Sequence, residues 1–376
     1  MNLKAQQKLV MGCEQIKYYL PLLKNKNVGL LVNQTSTIGS THLVDTFLSL
    51  KVQVKKIFAP EHGFRGNIEA GGVVKSGMDK KTGLPIVSLY GDKKKPTAAD
   101  LKGLDIVVFD LQDVGARFYT YISSMHYMMQ ACAENNIEFM VLDRPNPHGY
   151  YVDGPVLDNK FKSFVGMHPV PVVHGLTVGE YAQMIKGEKW IGDTLNVKLI
   201  VVKMFGYDHN YRYHLPVPPS PNLRTKEAIY LYPSLCFFEG TDVSVGRGTS
   251  KPFEQIGKPG FADGRVTFTP KRIPGVVEKP LYENKVCSGF DLTSFANTYI
   301  IESRRIYLYW LQGFYDKSPN KEKFFNDFFD KLAGTDVLRK QIIAGTKVDE
   351  IYKSWEPGIA QYMEMRKKYL LYKDFD

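Results

Sequence analysis

Short apolar runs alternate with segments of helical spacing over the first 142 residues, and this alternation constrains the fold more than any other feature. Because the runs are apolar throughout, they predict strands that are covered on both faces. Strands that alternate with helices indicate an α/β fold with a Rossmann-like, doubly wound and mostly parallel sheet. The predicted strands are 28–32, 54–59, 86–90, 105–111 and 137–142, and the predicted helices between them are 41–50 and 121–135.

The remainder of the chain is less regular. Thr177 followed by Glu180 is the capping-box pattern that begins a helix. The other predictions are a long loop over 143–173, a helix over 177–186, a strand over 195–204, few periodic runs over 214–260, and a helical, aromatic segment over 290–376. We expect residues 12–245 to form the Rossmann-like domain and residues 246–376 to form a smaller C-terminal α+β domain, with the candidate site in the cleft between them.

Composition excludes several classes of protein. The chain has 376 residues, of which 44% are hydrophobic and 23% are charged, so it is long enough for a globular fold with a large core. No apolar run approaches the roughly 20 residues of a membrane span, so we expect no stable membrane insertion. The formal net charge is +10, but the lysines are scattered and no nucleic-acid-binding motif is present. We therefore expect no nucleic-acid partner, whereas an anionic substrate is compatible with the charge.

Several cofactor and catalytic motifs are missing. The chain has four cysteines, and none are spaced as a CxxC metal or redox motif. No GxGxxG follows a strand, so the predicted fold does not imply a dinucleotide. The GxSxG elbow of serine hydrolases and the Walker phosphate loop are also missing. The sequence therefore predicts neither a cofactor nor a metal.

Polar motifs directly follow the predicted strands. The carboxyl ends of parallel strands meet at one edge of a sheet, which is where open α/β sheets bind their ligands. We therefore expect residues far apart in the sequence to converge on one cleft. The motifs are Asn33-Gln34-Thr35, Pro60-Glu61-His62-Gly63, Asp110-Leu111-Gln112-Asp113 and Asp143-Arg144-Pro145-Asn146.

The segment 60–72 carries the densest chemistry of the chain. It is rich in glycine and holds two carboxylates, Glu61 and Glu69, together with the imidazole of His62 and the guanidinium of Arg65. A plain connecting turn does not need this many ionisable groups. The segment therefore favours an enzyme.

Candidate site residues follow from these motifs and from two glycine-rich turns farther along the chain. Structural alternatives are open for some of them: Asp110 as a cap on backbone amides, Arg117 as a partner of Asp113, and Asp143 with Arg144 as an internal ion pair. The candidate catalytic carboxylates are Glu61, Glu69, Asp110 and Glu239. The candidate substrate-binding residues are Asn33, His62, Arg65, Gln112, Arg117, Tyr119, Tyr121, Arg144, Asn146, His174, Asn222 and Arg247.

Carboxylates, tyrosines and arginines in one cleft suit glycoside hydrolysis. That reaction needs one carboxylic acid to protonate the leaving oxygen and a second group to attack or stabilise the oxocarbenium-like centre. The rival interpretation is metal-assisted hydrolysis through His62, Asp110, Asp113 and His174, since ligands from separate loops can build a site that no spacing rule detects.

The order of the motifs resembles that of the bacterial exo-β-N-acetylmuramidases of the NamZ type. The resemblance runs from about residue 12 to at least residue 260. The motifs that carry it, besides those given above, are Leu89-Tyr90-Gly91, Asp110 to Tyr121, His174-Gly175-Leu176-Thr177, Pro219-Ser220-Pro221-Asn222 and Gly246-Arg247-Gly248-Thr249.

The resemblance implies an exo-acting glycosidase that removes N-acetylmuramic acid from the non-reducing end of peptidoglycan fragments such as muropeptides or disaccharides. It implies that Glu61 is the catalytic carboxylate, and it leaves the partner open between Glu69, Asp110 and Glu239. It also implies a periplasmic or otherwise exported protein whose leader is absent here, with a cytoplasmic protein as the alternative. The alternatives for function are a metal-dependent cell-wall hydrolase and a non-catalytic muropeptide-binding protein.

The predicted substrate carries a carboxylate on its lactyl group, which distinguishes muramic acid from glucosamine. A bidentate arginine fits a carboxylate best. The candidates for this contact are Arg117, Arg144 and Arg247.

Overall fold

The computed structural model describes residues 8–64 and 76–376. The strands are β1 (Val28–Val32), β2 (Thr37–Ile38), β3 (Thr41–His42), β4 (Val54–Ala59), β5 (Gly77–Met78), β6 (Pro85–Ser88), β7 (Ile106–Asp110), β8 (Glu138–Leu142), β9 (Leu199–Val202), β10 (Gln255–Lys258), β11 (Val266–Phe268) and β12 (Cys287–Asp291).

The helices pack around the strands and make up most of the regular structure after residue 292. They are α1 (Ile16–Leu23), α2 (Leu43–Ser49), α3 (Ala98–Leu101), α4 (Tyr121–Glu134), α5 (Val178–Gly187), α6 (Lys226–Leu235), α7 (Thr293–Phe295), α8 (Ile301–Ser303), α9 (Tyr309–Asp316), α10 (Phe329–Ala333), α11 (Val337–Ile343) and α12 (Val348–Lys367). Short 3-10 turns lie at Gly12–Glu14, Asn159–Phe161, Cys236–Gly240 and Lys321–Lys323, and a π-helical turn lies at Ala296–Ile300.

A large sheet forms the centre of the molecule, with the strand order β5-β6-β4-β1-β7-β8-β9. The strands from β6 to β9 in this order pair in parallel, and β5 adds an antiparallel edge. Numbered along the chain, the parallel strands lie in the order 3-2-1-4-5-6, which is a doubly wound order. The prediction of a doubly wound, mostly parallel sheet is therefore confirmed.

Helices cover both faces of this sheet, which explains why its strands are apolar throughout. Leu30 and Val108 are register partners and pack on one face with residues of α1 and α2. Leu31 and Phe109, the next pair, pack on the other face with α4 and α5. The alternation follows from the two-residue period of a strand.

Several predicted elements agree closely with the structure. β1 and β4 have the predicted bounds, and Thr177 and Glu180 form the predicted capping box at the start of α5. The helix predicted over 41–50 begins only at Leu43, because the two residues before it pair with β2 in a hairpin. The strand predicted over 195–204 is shorter, Leu199–Val202.

The C-terminal part contains a separate antiparallel sheet with the order β10-β12-β11, together with helices α7 to α12. The helical character predicted for 290–376 is confirmed. The helix α6 was missed because its segment is rich in proline and glycine and the helix itself contains Pro233, a residue that usually ends a helix. Within the described ranges, none of the helices combines the length and the apolar character needed to cross a bilayer.

Candidate active site

A cavity of about 640 Å³ lies beside the carboxyl ends of β4 and β6. Its volume is in the range of about 300–1,000 Å³ that small-molecule sites occupy. One side is built by the loops after these strands and by the segment that precedes α4, and the other side by the turn after α6 and the glycine-rich loop 246–249. The cavity therefore lies between the central sheet and the C-terminal part of the chain.

Glu61 stands on the sheet side of the cavity, two residues after β4 ends. The hydroxyl of Tyr90 donates to Glu61 Oε1 at 2.8 Å, and the hydroxyl of Thr120 donates to Oε2 at 2.5 Å. His62 follows with a positive φ of 69° and also lines the cavity. Two hydroxyl donors from separate loops therefore fix the orientation of the Glu61 carboxylate.

Tyr90 and Thr120 are site residues that were missed in the sequence. Both lie in motifs that carry the family resemblance, one just after β6 and one directly before α4. The signal in the sequence that could have identified Tyr90 is its position just after a strand. The sequence does not reveal that the hydroxyl of Tyr90 reaches Glu61.

Glu239 lines the cavity from the C-terminal part of the chain, in the 3-10 turn after α6. Arg247 Nε donates to Glu239 Oε1 at 2.6 Å, and the two side chains are 22% and 23% exposed, respectively. The thiol of Cys236 lies 3.6 Å from Glu239 Oε2. The C-terminal side therefore contributes a second carboxylate with a guanidinium beside it.

Aromatic rings connect the two sides. Tyr119 and Tyr232 have ring centroids 6.1 Å apart, and Tyr232 and Phe253 have centroids 5.1 Å apart. All of these rings line the cavity. They form an apolar wall against which the C–H face of a sugar ring can pack.

Asp110 does not line the cavity, and neither does Arg144. Asp110 ends β7, and its carboxylate accepts from Arg144 Nε at 2.6 Å and from Nη2 at 2.9 Å. The side chains are 0% and 3% exposed, respectively. Arg144 therefore pairs with Asp110 rather than with Asp143, which instead accepts from the hydroxyls of Thr177 and Tyr372. The Asp110–Arg144 pair therefore lies in the interior, and the roles predicted for these two residues stay predictions.

Arg117 is likewise an interior residue. It donates to four backbone carbonyls, which belong to Pro155, Val170, Leu332 and Ala333. Burial lowers the pKa of the Arg117 guanidinium to about 9. The structure does not show the expected pairing of Arg117 with Asp113. The terminal nitrogens of Arg117 donate to these carbonyls instead.

Asp113 turns its carboxylate toward the backbone instead. Its Oδ1 accepts from the amide of Gly115 at 2.7 Å. Burial raises the pKa of the Asp113 carboxyl to about 7.

Six other predicted binding residues are buried away from the cavity lining and fasten the surrounding loops. Their contacts are Asn33 Nδ2 to the Tyr121 hydroxyl at 2.7 Å, Tyr121 to the Pro219 carbonyl at 3.3 Å, Gln112 Nε2 to the Pro145 carbonyl at 2.8 Å, Asn146 Nδ2 to the Leu176 carbonyl at 2.9 Å, the Leu176 amide to His174 Nδ1 at 3.2 Å, and Asn222 Nδ2 to the Val276 carbonyl at 3.2 Å. These residues shape the loops that carry the lining residues. Of the predicted residues, Glu61, His62, Tyr119, Glu239 and Arg247 line the cavity, whereas Arg65 and Glu69 lie outside the described residues.

The set proposed for a metal does not come together. His62 lines the cavity, but Asp110, Asp113 and His174 do not. Across residues 8–64 and 76–376, no three His, Cys, Asp or Glu side chains are arranged to hold a metal ion.

Comparison with known proteins identifies the family. The family model described as exo-β-N-acetylmuramidase NamZ, N-terminal, matches residues 28–227, and the corresponding C-terminal model matches residues 230–372. The two models therefore meet between residues 227 and 230. The predicted boundary between residues 245 and 246 stays a prediction.

Relatives cover nearly the whole chain. The peptidoglycan β-N-acetylmuramidase NamZ of Bacillus subtilis (strain 168) is 39% identical in an alignment of length 374 that covers 94% of this chain and 89% of that protein. A DUF1343 family protein of Bacteroides fragilis NCTC 9343, known from its crystal structure, is 45% identical, with a TM-score of 0.91 and coverage of 98% of this chain and 99% of that chain. A second protein of that family and strain is 28% identical, with a TM-score of 0.80 and coverage of 97% and 99%. The resemblance seen in the sequence is confirmed, and the chain belongs to the exo-β-N-acetylmuramidase NamZ family.

Proposed function

We propose that this protein is an exo-acting glycoside hydrolase that releases N-acetylmuramic acid from the non-reducing end of peptidoglycan fragments, in cell-wall turnover and recycling. Its substrates are muropeptides or peptidoglycan disaccharides. The observation that carries the proposal is that two carboxylates line one cavity, Glu61 from the loop after β4 and Glu239 from the turn after α6. Glycoside hydrolysis uses a pair of carboxyl groups that flank the scissile bond.

Glu61 acts as the proton donor to the leaving oxygen. The hydroxyls of Tyr90 and Thr120 hold its carboxyl group in one orientation. A general acid needs such fixed geometry, because proton transfer requires a heavy-atom distance of about 2.6–3.2 Å from the reacting oxygen.

Glu239 supplies the second carboxyl group from the turn after α6. A carboxylate there stabilises the positive charge that develops at the anomeric centre. The aromatic wall formed by Tyr119, Tyr232 and Phe253 holds the sugar ring between the two carboxyl groups.

We place the protein in the periplasm or in another exported location, because peptidoglycan lies outside the cytoplasmic membrane. Fractionation of the native cells, followed by detection of the protein, tests this placement. Recovery only in the cytoplasmic fraction would contradict it.

The activity is tested with a disaccharide of N-acetylmuramic acid β-linked to N-acetylglucosamine, and with a chromogenic β-glycoside of N-acetylmuramic acid. We expect both to release free N-acetylmuramic acid, detected by mass spectrometry, at the same rate with and without a chelator. Loss of turnover with the chelator would support a metal-dependent hydrolase instead. Binding of the disaccharide without turnover would support a muropeptide-binding protein.

A further inference from the structure

We propose that Arg247 determines the specificity of this site for muramic over glucosamine sugars by binding the lactyl carboxylate of the substrate. This inference rests on the proposed function, because it assigns a substrate group to the same cavity. The charge, the rigidity and the remaining hydrogen-bonding capacity of Arg247 support it.

Of the three arginines that the sequence offers for this contact, the structure selects one. Arg117 and Arg144 are both 3% exposed and hydrogen-bonded within the interior. Arg247 is the arginine that lines the described part of the cavity, where Lys279 at the rim is the other cation.

The loop that carries Arg247 is rigidly built. Gly246 and Gly248 on either side have φ angles of 76° and 84°, in the left-handed region that favours glycine. A Cβ atom at Gly246 would lie 2.7 Å from the Lys251 carbonyl oxygen, and one at Gly248 would lie 2.5 Å from the Lys271 carbonyl oxygen. The guanidinium is therefore presented by a backbone that glycine alone fits, so little ordering is needed when a ligand binds.

The hydrogen bonding of Arg247 leaves the two terminal nitrogens of its guanidinium group available. Its Nε donates to Glu239, and Glu239 is the sole acceptor for the Arg247 side chain among the described residues. The guanidinium carbon lies 5.0 Å from the centroid of the Phe253 ring, which supports the plane of the group. The two terminal nitrogens can therefore form the paired hydrogen bonds that a planar guanidinium makes to a carboxylate.

The charges around the cavity make this contact selective. Glu239 and Glu278 both line it, so an anionic substituent is repelled unless a cation faces it. Glu278 already accepts from Arg272 Nε at 2.5 Å. A sugar without the lactyl group lacks this negative charge and needs no cation beside it. Arg247 therefore changes the preference of the site between the two sugars.

The test compares two chromogenic muramic glycosides that differ only at the lactyl group, which is a free acid in one and a neutral amide in the other. For the unaltered protein we expect kcat/KM to favour the acid by roughly 10- to 100-fold, the range of a charge-assisted hydrogen bond. In Arg247→Gln the ratio should fall to within about threefold of one, and in Arg247→Lys it should be intermediate, because lysine keeps the charge without the fork.

Lys279→Gln is the matched control, since it removes the rim cation of the same cavity. We expect it to keep the acid-to-amide ratio of the unaltered protein. An equal loss on both substrates in Arg247→Gln would mean that Arg247 acts only by holding Glu239, and would overturn the inference. Loss of the ratio in Lys279→Gln alone would also overturn it.

Binding separates this inference from the proposed function. Calorimetry with free N-acetylmuramic acid and N-acetylglucosamine requires no turnover. Tighter binding of muramic acid that disappears in Arg247→Gln would support the inference even if no glycoside is hydrolysed. Equal binding of the two sugars by the unaltered protein would contradict it.

Discussion

Two arginine–carboxylate pairs in this molecule have nearly the same hydrogen bond and different surroundings. In both Asp110–Arg144 and Glu239–Arg247 the arginine Nε donates to the carboxylate at 2.6 Å. The first pair is 0% and 3% exposed, whereas the side chains of the second are 23% and 22% exposed. Burial, and not the type of pair, therefore distinguishes the interior pair from the pair that we propose acts on substrate.

The surroundings account for the two roles. Asp110 ends β7 and accepts from two nitrogens of Arg144, whose other side-chain hydrogen-bond partners among the described residues are the sulfur atoms of Met11 and Cys13. The interior pair therefore has no position for a ligand. The cavity pair uses one nitrogen of Arg247, and its other nitrogens are available to substrate.

Breaking the interior pair should have the largest effect on stability. Asp110→Asn removes the charge that compensates the buried Arg144, so we expect the free energy of unfolding to fall by about 3–5 kcal/mol. Denaturation by urea, followed by circular dichroism, measures it. Glu239→Gln is the matched change in the cavity pair and should cost less than about 1 kcal/mol, as partly exposed pairs do. Equal costs for the two variants would contradict the comparison.

The stability that the interior contributes should also depend on pH differently from the stability that the cavity contributes. Burial lowers the pKa of His174 to about 3, well below the value of about 6.5 in an unfolded chain. The unfolded state therefore binds more protons, and the contribution of His174 to stability is lost as the pH falls from about 6.5 toward 3.

We test this with His174→Asn, whose amide oxygen can replace Nδ1 as acceptor for the Leu176 amide. Comparison with this variant is needed because buried carboxyls such as Asp113, whose pKa is raised, titrate in the opposite sense. From pH 6.5 to 5 the unaltered protein should lose about 1.6 kcal/mol relative to the variant. Urea midpoints at the two pH values measure the difference, and parallel pH profiles would be the contrary result.

Two tyrosine hydroxyls give the smallest expected effects. Tyr90→Phe removes one donor to Glu61, so we expect kcat to fall roughly tenfold, with little change in stability. Tyr121→Phe leaves the Asn33 amide group without its buried acceptor, so we expect a loss of about 1–2 kcal/mol of stability. Rate assays and thermal melts on both variants check the contrast. A large loss of stability in Tyr90→Phe, or none in Tyr121→Phe, would contradict it.

The sheet side of the site was largely predictable from the sequence. An apolar run that ends in a polar motif identifies the carboxyl end of a buried strand, and Glu61 and His62, which this rule selects, line the cavity. The rule holds because every parallel strand of the sheet points to the same edge.

The same rule could not separate lining residues from supporting ones. Asp110 ends β7 and Arg144 follows β8, yet they pair with each other in the interior. Which side chain turns inward depends on its neighbours across the sheet. The partners of Arg117 lie as far along the chain as Leu332 and Ala333. Contacts at such sequence separation leave no local pattern.

The central claim is that Glu61 performs the chemistry, and Glu61→Gln tests it most directly. The substitution keeps the size of the side chain and removes the carboxyl proton. We predict that the release of N-acetylmuramic acid from its chromogenic β-glycoside falls by roughly 100-fold or more, with an unchanged melting temperature. Turnover near that of the unaltered protein would contradict the account.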